Sequence, residues 1–96
     1  MNVVFHPAAD NDLEASTYYY EELCEGLGER FLMAVKTTVE HLQLFPLIGH
    51  EDNAGYRVFP VNGFPLSVYY EPYSDHIYII ALAHQSRKQN FWKDRV

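Results

Sequence analysis

Arg57, His84, Arg87 and Lys88 are the residues whose types could do chemistry together in this chain. Cutting an RNA backbone without a metal takes a base to activate the 2′-hydroxyl, an acid for the leaving oxygen, and cations for the phosphate. "HQSRK" supplies an imidazole and two cations within five residues, and "YRVFPV" supplies Arg57. The same residues have an equally ordinary structural use. Arg57 can pair with a loop acid, and His84 can close a strand with a backbone hydrogen bond. Spacing bears on the choice. In a simple meander with turns at 62–63 and 72–75, Arg57 lies opposite Val68 and Ile79. His84 is then five residues further along and two strands away, about 20 Å from Arg57.

Other chemistries find less support. The five histidines (His6, His41, His50, His76, His84) lack close ligand spacing. His76 and His84 share a strand, but eight residues separate them by about 26 Å. Cys24 is the single cysteine, so neither an internal disulfide nor a structural zinc site is expected. No glycine-rich phosphate loop is present, and no cofactor is expected. The acids of the first helical segment are read as its solvated side. Tyr18, Tyr19 and Tyr20 point about 100° apart on a helix, which predicts one core ring and two at a rim.

These residues must be positioned by the elements around them. "VVF" at 3–5 reads as a short strand, and Pro7 suits the first turn of a helix. Ala9, Leu13, Ser16, Tyr20, Leu23 and Leu27 recur at three or four, as do Phe31, Val35, Val39, Leu42 and Phe45, with Leu32 widening the second face. "EGLGE" interrupts the pattern, with Gly26 or Gly28 free to take the tight turn. The expectation is a helical hairpin over 7–24 and 28–45, stopped by Pro46. "PLIGHEDNAG" reads as a loop. From Tyr56 the period becomes two, and "YRVFPV", "FPLSVYY" and "HIYIIALAH" read as strands, separated by "NG" and "EPYSD" turns. The order β-α-α-β-β-β predicts a single α+β domain over 1–96, with the hairpin packed on one face of a sheet.

Alternation in the last strand assigns Ile77, Ile79, Ala81 and Ala83 to one face and Tyr78, Ile80, Leu82 and His84 to the other. Both faces are apolar, while two helices cover one. The second face calls for a partner chain or a fold-back of the tail.

Ninety-six residues at 48% hydrophobic content suit one core, and no apolar run reaches the length of a membrane span. "MNVVFHPAAD" lacks a charged region followed by an apolar one, so the expected location is cytoplasmic. The net charge of −6 is uneven: residues 1–56 carry −8 and residues 57–96 carry +2. That balance argues against independent, non-specific DNA binding.

"FHPAADNDLEAS", "GLGERFL", "LFPLIG", "YRVFPVNGFPLSVYY" and "IYIIALAHQSRKQNFW", taken in order, resemble the RelE/ParE superfamily of bacterial toxin–antitoxin proteins over nearly the whole chain. The resemblance implies a helical hairpin on a mostly antiparallel, twisted sheet. It also implies growth inhibition, neutralisation by a cognate antitoxin and a part in plasmid stabilisation. The superfamily divides into ribosome-dependent messenger-RNA cleavers and DNA gyrase inhibitors. Arg57 matches the strand arginine of the cleavers, Arg87 the basic residue after the last strand, and His84 falls in "H-x-x-R". Two features depart from the cleavers. "GHEDNAGY" is acidic where they carry lysines, and Phe91 and Trp92 stand where they often place a reactive tyrosine. The pattern looks more like the ParE branch. The resemblance thus implies a gyrase-binding toxin, with a RelE-like endoribonuclease (Arg57, His84, Arg87, Lys88) or a non-toxic binding module as alternatives. Arg57, Tyr69, Tyr70, Tyr78, His84, Arg87, Phe91 and Trp92 are the expected contacts with target or antitoxin. Lys93 and Arg95 are expected to be solvated.

Overall fold

The computed structural model describes residues 1–52, 55–86 and 91–95. Strand β1 (Asn2–Phe5) leads into helices α1 (Pro7–Leu23) and α2 (Leu27–Leu44), followed by β2 (His50–Glu51), β3 (Arg57–Pro60), β4 (Leu66–Pro72) and β5 (His76–His84). A single 3-10 turn, Lys93–Arg95, ends the described chain. The helical hairpin lies where periodicity placed it. One strand was not expected: β2 falls in the segment read as a loop. Its two residues pair antiparallel with Val58 and Arg57, too short a run for any period to register.

The sheet order is β1-β5-β4-β3-β2, with β1 parallel to β5 and the other pairs antiparallel. Arg57 stands opposite Tyr70, not Val68. The expected two-residue turn at 62–63 is a four-residue loop, which Val61 N–H closes on the Leu66 carbonyl at 2.9 Å. Pro65 has no N–H for an earlier pairing, and Gly63 takes the positive φ (85°) that the loop requires.

A β-bulge changes which side chains share a face. Tyr70 pairs with Ile79 but Tyr69 pairs with Ala81, so β5 carries one extra residue, Ile80. The alternation therefore reverses phase at this point. Ile77, Ile79 and Leu82 enter the helix-side core, whereas Ile80 and Ala81 lie together on the opposite side. Strict alternation had put Leu82 with Ile80 and Ala81 with Ile79. Both assignments are corrected by the bulge.

The main core joins Ala9 of α1 and Phe31, Val35 and Leu42 of α2 to Val61, Leu66, Val68, Tyr70, Ile77, Ile79 and Leu82. Tyr20 is the core ring of the tyrosine triplet. It packs against Phe31 at a tilt and Phe64 edge-on, and these two meet each other edge-on, at centroid distances of 5.0–5.1 Å, while Tyr18 and Tyr19 are exposed. Leu32, expected to widen the buried face of α2, and Phe45, expected at its end, are both exposed.

The acids of α1 do more than solvate it. Glu21 accepts from Gly26 and Gly28 N–H, both at 3.0 Å, and so caps the positive end of α2 from the neighbouring helix. Gly28 is needed there: a Cβ would sit 2.8 Å from the Thr17 carbonyl oxygen. Asp12 is drawn in as well. Its carboxylate accepts from Leu82 N–H at 3.1 Å and pairs with Arg95 at 2.6 Å, so Arg95 is not a solvated tail cation.

Candidate interaction site

Trp92 is 1% exposed and forms a second core with Ile80 and Ala81, against which Tyr56, Tyr69, Tyr78 and Phe91 pack. Its ring meets Tyr56 edge-on at 4.3 Å, and Phe91 meets Tyr69 at 5.3 Å. The second apolar face of the sheet is thus covered by the chain's own tail, the fold-back alternative. The tail is fastened at its end. The guanidinium of Arg95 donates to Asp12 and to the Ile80 carbonyl, and its own carbonyl lies 2.7 Å from His6 Nε2. Because His6 Nδ1 accepts from Ala8 N–H at the start of α1, Nε2 carries the proton and donates to Arg95.

These contacts also close the edge of the sheet. β1 pairs with β5 only as far as Ile79. Beyond it, the Ile80 carbonyl and Leu82 N–H would be open, and the Arg95–Asp12 pair supplies a donor to one and an acceptor to the other.

Arg57 works at the opposite side of the sheet. Its Nη1 donates to the carbonyls of Leu47 (3.1 Å) and Gly49 (2.9 Å), and Nη2 lies 4.0 Å from Glu51. The buried Tyr70 joins it there, its hydroxyl donating to the Pro46 carbonyl at 2.8 Å and accepting from Gly49 N–H at 2.9 Å. Burial raises the Tyr70 pKa, opposed in part by the Gly49 hydrogen bond and the Arg57 charge. Tyr56 is also raised, first by burial and then by Glu71 and Asp52.

His84 ends β5 on the exposed surface, its Nδ1 accepting from Ser86 N–H at 3.1 Å and lying 2.8 Å from Ser86 Oγ. With Arg57 in register with Tyr70 and Ile79, His84 lies five positions along β5 and two strands over, again about 20 Å away. The fold does not bring these two together. Arg87 and Lys88 lie outside the described residues. Tyr70 and Trp92 are corrected as contact residues, because their side chains are consumed by the two cores. Tyr69, Tyr78 and Phe91 remain at the rim of the second core. The sequence reading missed Asp12 and Arg95, which are 83 positions apart and carry no local signal.

Among the described residues no group of three His, Cys, Asp or Glu side chains could hold a metal, and no helix is long and apolar enough to cross a membrane. A groove of about 720 Å³ runs between α1 and α2, with Leu13, Tyr18 and Leu32 on its walls and Asp10, Glu14, Glu21 and Glu29 around them.

A helical hairpin on a five-stranded, mostly antiparallel sheet, with a tail folded over the far face, defines a small α+β fold. The sequence places it further: residues 3–89 match the family model of the ParE toxin of type II toxin–antitoxin systems, and the chain belongs to that family. The fold is similar to a solved chain of the chromosomal ParDE toxin–antitoxin system from P. aeruginosa. The TM-score is 0.64 at 21% identity, covering 88% of this chain and 95% of that one. No curated protein matches the chain.

Proposed function

We propose that this chain arrests bacterial growth in the cytoplasm by binding DNA gyrase, that it is not itself a hydrolase, and that a cognate antitoxin neutralises it. Family membership supports a toxin with an antitoxin partner. The observation that carries the choice of target is the placement of Arg57. Its guanidinium is engaged by the Leu47 and Gly49 carbonyls, and His84 is two strands away. The two described members of the cleaving set therefore do not face one phosphate, as general acid–base cleavage of RNA demands. The groove between α1 and α2, apolar within and acidic around, suits an antitoxin segment with apolar anchors and basic flanks.

The test is DNA supercoiling by purified gyrase in the presence of the purified toxin. Supercoiling falls as toxin is added and recovers when antitoxin follows. Undisturbed supercoiling together with ribosome-dependent messenger-RNA cleavage overturns the proposal in favour of an endoribonuclease.

A further inference from the structure

We propose that the turn after α2 is the knob with which this toxin grips its target: Leu44, Phe45, Leu47 and Ile48 insert into a preformed apolar cleft with a basic border on the inhibited protein. The inference rests on the toxin reading above and deepens it. Four large apolar side chains, 47–71% exposed, stand within five consecutive residues. A turn that meets only solvent favours Gly, Pro, Asn, Asp and Ser, whose backbone and hydrogen-bonding properties suit it. Here only Pro46, at the second position of the turn, follows that chemistry.

The turn is held from below. Ile48 N–H donates to the Phe45 carbonyl at 3.0 Å, which closes the turn. Tyr70, rooted in the core, bonds Pro46 and Gly49, and Arg57 bonds Leu47 and Gly49. A Cβ at Gly49 would lie 2.6 Å from the Tyr70 hydroxyl, so the contact needs glycine. Every hydrogen bond in this network engages backbone or the buried face, and none engages the apolar side chains of the turn. Arg57 and Tyr70 are therefore positioning residues for a projection that loses little backbone freedom when it binds.

Shape and charge select the occupant. A rigid projection fits a cleft that exists before binding with little loss of freedom on either side, whereas a flexible peptide must be ordered around it at a cost in entropy. Glu40 lies one helical turn before Leu44, and Glu51 and Asp52 follow the turn, Glu51 lying 4.0 Å from Arg57, whose Nη1 is directed to the carbonyls. A second copy would bring like charges together across a half of the chain that carries −8. A cleft bordered by Lys and Arg is complementary.

The experiment uses the full chain and the Leu47→Ser/Ile48→Ser variant, whose replaced side chains are exposed. Native Trp92 fluorescence and circular dichroism establish that the variant is folded. Growth arrest on expression without antitoxin, at matched soluble levels, is the first readout. Antitoxin affinity and light scattering are the second and third. The expected result is loss of arrest, with target affinity lowered at least ~10-fold, as for central anchors of an interface. Antitoxin affinity and mass in solution stay unchanged. Glu40→Lys weakens target binding most at low salt. Retained arrest overturns the inference, as does an equal fall in antitoxin affinity, which assigns the turn to the antitoxin. A change in self-association overturns it too, by assigning the turn to a second copy. A wild-type chain that arrests growth without inhibiting gyrase refutes the gyrase target while the variant still tests the knob. A wild-type chain that does not arrest growth refutes both.

Discussion

Arg57 and Tyr70 illustrate how a residue type can suggest one chemistry and its surroundings assign another. An arginine on a strand offers five donors to a phosphate, yet in this fold Nη1 donates to two backbone carbonyls of the 46–49 segment. Tyr70→Phe removes the bonds to Pro46 and Gly49 and leaves the buried Gly49 N–H and the half-buried Pro46 carbonyl without them, which should lower stability by about 1–3 kcal/mol in chemical denaturation. The same hydroxyl predicts a pH dependence. Its folded pKa is raised above the ordinary 10.0, chiefly by burial. Between the unfolded and folded values the native state keeps a proton that the unfolded chain releases. The contribution is therefore complete below pH 10.0 and is lost as pH rises through the folded value. Denaturation midpoints measured above that pH should fall, and less steeply in Tyr70→Phe.

At the scale of elements, the tail and the bulge explain each other. One inserted residue, Ile80, turns two consecutive β5 side chains toward the far face, and Trp92 lies on that patch. Trp92→Ala should destabilise the fold by about 3–5 kcal/mol and expose the patch, with increased binding of an apolar dye. Wild-type Trp92 fluorescence gives the comparison, since it is the chain's one tryptophan. A variant that kept full stability would show that the tail rests on the sheet without contributing to the core.

For the molecule as a whole, charge is divided by sequence and again by surface. The −8 of residues 1–56 includes the acids around the α1–α2 groove, and the helix capping by Glu21 and the tail pairing by Asp12 use part of it. If basic flanks of the antitoxin meet that groove, antitoxin affinity should fall steadily between 0.05 and 0.5 M salt, about as expected for screened charges. Calorimetric titration across that range is the measurement, and salt-independent binding would leave apolar anchors as the main contribution.

The sequence by itself determined the helical hairpin, the strands β3, β4 and β5, the core-facing tyrosine of the triplet and the family. Each of these follows from a local period or an ordered run of motifs, which tertiary packing did not override. It also narrowed the cover of the second sheet face to two alternatives. Only the tertiary structure chose the tail, placed Leu82 beneath the helices, bonded Arg57 to the turn after α2, and joined Asp12 to Arg95 across 83 positions. A single bulge reverses alternation for every residue after it, and a long-range ion pair leaves no periodic trace. Such features exist only once the chain has closed on itself.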